Sequence, residues 1–261
     1  MATAAAPILY ALLLWWFSTG AILFLDGLPR STHRWSMLAA TLLLIPAIAG
    51  LHFAGQMPSV AGAYLGFTSA LLIWGWIEMS FLMGFVTGPR HSACPTDARG
   101  WRRFVCAVET IAYHELLLVG TLLGVLWLSL GADNPVGAWT FLALWLMRLS
   151  TKLNIFLGVR NLNEGWLPDH LSYLASYFSY RRLNPLFPFS VVASMLAVWW
   201  VIGAAIAADS GSLDATALLL VGTLLALGLL EHLFLVLPIT LDGLFRWGFR
   251  SRPAAGRHAP P

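Results

Sequence analysis

The chain has 261 residues, of which 59% are hydrophobic and only 10% charged, and its formal net charge is +3. A soluble domain is roughly a quarter charged, so this composition excludes a soluble globular enzyme, a disordered chain and a nucleic-acid binder. The mean hydropathy of +0.75 indicates a polytopic membrane protein, in which seven spans of about 20 residues would use most of the length.

Seven apolar stretches follow in chain order, at approximately 7–25, 35–53, 59–87, 104–131, 136–159, 186–208 and 213–240. The first has no basic segment before it and is longer than the apolar core of a signal peptide, so it is expected to stay as a span. Residues 1–249 read as one membrane domain, and 250–261, rich in Pro, Gly and Arg, as a disordered cytoplasmic tail. Cys94 and Cys106 are too few for a disulfide framework and match no metal-binding spacing.

The arginines alternate between loops. Arg30 and Arg34 lie in the first loop, Arg90, Arg99, Arg102 and Arg103 in the third, Arg160, Arg181 and Arg182 in the fifth, and Arg246, Arg250, Arg252 and Arg257 after the last span. The second, fourth and sixth loops have none. The positive-inside rule then predicts a periplasmic N-terminus and a cytoplasmic C-terminus. The helices leading to the basic loops end near Gly27, Gly88, Gly158 and Gly243, and glycine there is expected to take the left-handed conformation that closes a helix.

The longest basic loop, 160–185, has Leu167, Leu171, Leu174 and Phe178 at helical spacing. That pattern predicts a cytoplasmic amphipathic helix between spans five and six, either lying on the inner membrane surface or packed on the bundle.

Ionisable residues inside spans are costly and face the protein interior or water. Here they are Glu78 in span three, Glu109, His114 and Glu115 in span four, Arg148 and Lys152 in span five, and Glu231 and His232 in span seven; Asn154 continues the polar end of span five. Arg148 and Lys152 share a helix face, for which Glu78, Glu115 and Glu231 are the candidate acidic partners. One reading is a buried charge network of Glu78, Glu109, Arg148, Lys152 and Asn154 that fixes the helix arrangement. The other is a cofactor or proton site built on His114, Glu115, Glu231 and His232. A neutral imidazole can ligate a metal, haem or the magnesium of a bacteriochlorophyll, with a carboxylate fixing its tautomer. A di-iron site would need Glu-x-x-His spacings that this sequence lacks. Trp74, Trp76 and Trp145 are deep enough to line a pigment pocket.

Several stretches carry a family resemblance: residues 10–20 (YALLLWWFSTG) with 26–30 (DGLPR), 151–164 (TKLNIFLGVRNLNE), 167–174 (LPDHLSYL) and 184–188 (NPLFP). Together they resemble the photosynthetic complex assembly protein 2 (PuhE-like) family of purple phototrophic bacteria, whose gene lies near that of the reaction-centre H subunit. The resemblance runs from about residue 8 to residue 250. It implies an assembly factor of the inner, intracytoplasmic membrane that contacts reaction-centre or light-harvesting subunits and other assembly factors, or controls bacteriochlorophyll supply. It brings no established reaction and no catalytic residues. A membrane enzyme acting on a tetrapyrrole or quinone through the Glu/His cluster is the alternative. A proton path through Glu78, Arg148, Lys152 and Glu231 is a third reading, without the internal repeat common in transporters.

Overall fold

The computed structural model describes residues 2–162, 164–237 and 243–252. Among them are seven helices long and apolar enough to cross a membrane: α1 (Ala2–Asp26), α2 (Arg30–Gly55), α3 (Val60–Leu82), α4 (Gly100–Leu128), α5 (Val136–Leu157), α6 (Leu186–Ala207) and α7 (Leu213–Phe234). The shortest have 22 residues, about 33 Å at 1.5 Å per residue, enough for a bilayer core.

Polar residues at the boundaries start several helices. Ser59 Oγ accepts from the Gly62 amide and Ser212 Oγ from the Ala215 amide. Asn184 Oδ1 accepts from the amides of Leu186 and Phe187, opening α6. These acceptors satisfy amides that have no partner within the helix.

α3, α5 and α7 form the centre. α2 packs on α3, α1 on α7 and α3, α4 mainly on α5, and α6 mainly on α7. One core cluster joins Leu51, Ile73, Trp74, Ile77, Leu118 and Phe141 from α2 to α5. A second joins Ala11, Phe67, Leu71, Val136 and Leu220 from α1, α3, α5 and α7. Burial alone does not drive helices together in lipid, so close packing and interhelical hydrogen bonds decide the arrangement. α3 and α5 cross where Gly66 meets Gly137; a Cβ on Gly66 would stand 3.3 Å from the Gly137 nitrogen. Tyr10 and Thr68 hydroxyls are 2.6 Å apart, and Trp76 Nε1 donates to Thr41 Oγ1 at 2.9 Å. Outward faces carry exposed Leu42, Ile45, Leu116, Trp127, Trp199 and Ile206, as a lipid-facing surface requires.

Two helices end earlier than hydropathy predicts. α3 stops at Leu82 rather than near 87, because Gly84 turns into the left-handed region at φ 81°. The amides of Phe85 and Val86 fold back to the Ser80 carbonyl. α7 stops at Phe234 rather than near 240, and residues 238–242 lie outside those described. Of the expected helix-closing glycines, Gly158 has a positive φ (122°), while Gly27 and Gly88 do not. Gly88 has another use: a Cβ there would strike the Glu109 carbonyl in α4.

The segment between α5 and α6 also differs from expectation. It contains a nine-residue 3-10 helix, Asp169–Tyr177, not an α-helix. Its apolar side is taken up by the bundle: Leu167, Leu171, Leu174 and Phe178 pack with Phe81, Leu82 and Ile111. Near the C-terminus, a 3-10 turn (Gly248–Ser251) lies against α1, where Trp247 sits over Gly20 and the Ser251 hydroxyl donates to the Phe24 carbonyl. Residues 250–252 therefore belong to the folded part, and 253–261 lie outside the described residues.

Candidate functional site

The charged side chains of α3, α4, α5 and α7 meet near the arginine-rich end of the bundle. Glu78 is one turn from the end of α3, about 6 Å by helical rise, and Glu231 is within the last turn of α7.

Arg148 stands between two carboxylates. Its Nε is 3.9 Å from Glu78 Oε1 and its Nη1 is 3.5 Å from Glu231 Oε1. Lys152 Nζ, one turn further along α5, donates to Glu115 Oε1 at 2.6 Å. The two pairings differ in tightness and cover. Lys152 and Glu115 side chains are 20% and 22% exposed, against 36% and 37% for Arg148 and Glu231.

Glu109 is elsewhere. Its carboxylate accepts from Arg90 Nε at 2.7 Å, tying α4 to the loop after α3. The same loop reaches α4 through its backbone: the His114 amide donates to the Thr87 carbonyl and the Arg90 amide to the Glu109 carbonyl.

The two buried histidines behave differently. His232 Nδ1 donates to the Gly228 carbonyl at 2.8 Å, so in the neutral ring Nε2 accepts from the Ser150 hydroxyl, also at 2.8 Å. His114 is wholly buried, its ring 4.5 Å from that of Phe81. Neither of its ring nitrogens has a hydrogen-bond partner among the described residues, and the same holds for Glu78 Oε1, Thr151 Oγ1 and Trp145 Nε1. Orphaned buried polar atoms are costly unless water or a ligand meets them.

This geometry tests the fit of a tetrapyrrole. An axial ligand needs a free nitrogen lone pair and an open face for the macrocycle. His232 has both nitrogens engaged, and His114 has free nitrogens but no exposed surface. The histidines as arranged do not fit a chlorin or haem. Trp74 fills the core edge-on to Phe141 at 5.4 Å. Among the described residues, no group of three or more His, Cys, Asp or Glu side chains could hold a metal ion.

Asn154 belongs to a neighbouring network that the sequence did not disclose. Its amide donates to Ser150 O and Ser190 Oγ, and Asn184 Nδ2 donates to Asn154 Oδ1 and Gly158 O. Asn161 Nδ2 donates to the carbonyls of Phe234 and Leu237. On α4, Arg103 reaches Tyr177 O at 2.5 Å and Ser179 Oγ at 2.9 Å, with its guanidinium 4.4 Å over the Phe156 ring. These side chains satisfy the open carbonyls at helix ends and fix the loop layer over the charged cluster. The only sequence signal for them was a run of Asn and Arg where a span ends.

The seven apolar helices among the described residues place the protein in the multi-pass membrane class. The chain belongs to the family described as Protein of unknown function (DUF3623), which matches residues 1–255. It is 40% identical over 244 residues to a Rhodobacter capsulatus protein named "Uncharacterized 30.4 kDa protein in puhA 5'region", covering 92% of this chain and 88% of that one. No solved structure matches the chain.

Proposed function

We propose that this protein is an assembly factor for the photosynthetic reaction-centre and light-harvesting complex of a purple bacterium. It resides in the inner, intracytoplasmic membrane with its N-terminus in the periplasm and its arginine-rich end in the cytoplasm. The observation that carries this reading is the relative's place in the region 5′ of puhA, together with the long stretches that resemble the assembly family. The arginine alternation supports the orientation.

Two features support action through protein contacts rather than through a resident pigment. The buried histidines offer no open face to a macrocycle. The arginine-rich end is a built surface, with Arg103 and Arg252 holding loop carbonyls. That leaves Arg99, Arg160, Arg181 and Arg182 exposed there. Reaction-centre or light-harvesting subunits are the clients this surface would meet. Crosslinking in phototrophically grown cells, followed by purification of tagged protein, tests it. Enrichment of those subunits over a tagged multi-pass control protein is expected; equal recovery with the control contradicts the proposal.

A further inference from the structure

Three segments far apart in sequence enclose a cleft of about 210 Å³ at the arginine-rich end. Arg30 comes from the start of α2, Thr87 and His91 from the loop after α3, and His170 and Tyr173 from the 3-10 helix. Among the described residues, no carboxylate lines it. Arg30 forms no ion pair among the described residues. Asp26 pairs with Arg252 at 3.2 Å, and Asp169, next to His170 in the chain, is exposed.

His170 points to what is missing. It makes a backbone hydrogen bond with Leu82, while its Nε2 is buried and has no partner. Burial, then the nearby Arg30 charge, hold its pKa below the ordinary histidine value. An anion in the cleft would supply a counter-charge for Arg30 and for a protonated His170 ring. α2 adds to the field. Its N-terminus begins after Pro29 with no side-chain cap, and the positive end of a helix favours an anion. Gly84, also in the lining, lies against the His170 ring: a Cβ on it would stand 3.0 Å from that ring.

We infer that this cleft binds the phosphate of an anionic glycerolipid headgroup. Its place at the ends of apolar helices selects a lipid over a soluble phosphate. The residue after Gly84 is Phe85, 55% exposed, and Trp35 on the next turn from Arg30 is 61% exposed, giving acyl chains an apolar surface beside the headgroup.

Native mass spectrometry of the full chain in detergent tests this with dioleoyl phosphatidylglycerol, dioleoyl phosphatidylcholine and inorganic phosphate. Phosphatidylglycerol should be retained about tenfold more strongly than phosphatidylcholine, the scale of one charge-assisted contact. The combined Arg30→Gln and His170→Gln variant should lose that preference. Arg34→Gln, which removes an exposed arginine stacked on Trp35 outside the cleft, should keep it. Equal retention of both lipids, or a preference that survives the combined variant, overturns the site. Displacement of the lipid by millimolar inorganic phosphate overturns the lipid assignment and makes free phosphate the ligand.

Discussion

Lys152 of α5 and Glu115 of α4 form the tightest ion pair of the charged junction, at 2.6 Å with about four-fifths of each side chain covered. Removing one partner of such a pair leaves an uncompensated charge, whereas replacing both removes the problem. Lys152→Met is therefore expected to cost about 3 kcal/mol. The combined Lys152→Met and Glu115→Leu variant should recover most of that. Thermal unfolding in detergent reads the difference, and a double variant as unstable as the single one would show that the pair does not act as a unit.

Arg148 serves two carboxylates, so its loss should exceed the loss of either. Arg148→Met leaves Glu78 and Glu231 facing each other. Glu231→Gln, at a side chain 37% exposed, is expected to cost about 1 kcal/mol or less. Glu78→Gln should fall between them. The order of the three melting temperatures checks this, and a Glu231→Gln variant weaker than Arg148→Met contradicts it.

The two histidines should separate cleanly. His114 spends two orphaned nitrogens in a closed site, so His114→Leu removes unsatisfied polar atoms and should be neutral or stabilising by about 1 kcal/mol. His232→Leu breaks both of its hydrogen bonds and strands Ser150, and should cost about 2 kcal/mol. Paired melts of the two variants decide it. A strongly destabilised His114→Leu would mean that the ring is met by water or a ligand.

Gly88→Ala should be disproportionately harmful for a one-carbon change. The added methyl overlaps the Glu109 carbonyl, and the loop must then leave α4. A cost of about 1–3 kcal/mol is expected for such overpacking. Faster proteolysis between α3 and α4 would register the detached loop, and a wild-type digestion pattern would show that the contact is dispensable.

Seven spans were legible because lipid demands long apolar runs and because arginines mark alternate loops. The early end of α3 was not, since Met83, Gly84, Phe85 and Val86 are as apolar as a helix. Only the φ of Gly84 separates them from one. Among the junction residues, Glu78, Glu115, Arg148, Lys152 and Glu231 stood out as charges in apolar runs, and the structure brings them together. It sets Glu109 apart with Arg90. The pattern of Leu167, Leu171, Leu174 and Phe178 announced an apolar face but not its partner, because spacing cannot tell bundle from membrane. The cleft of Arg30, His91 and His170 was invisible, since loop residues from three segments carry no mutual signature until folded.

The most direct test of the central claim is the near-infrared absorption spectrum of membranes from a strain lacking this gene, grown under phototrophic induction. If the protein serves assembly, the reaction-centre and light-harvesting bands fall together and return when the gene is restored. Bands of unchanged height in the deletion strain would contradict the assembly role.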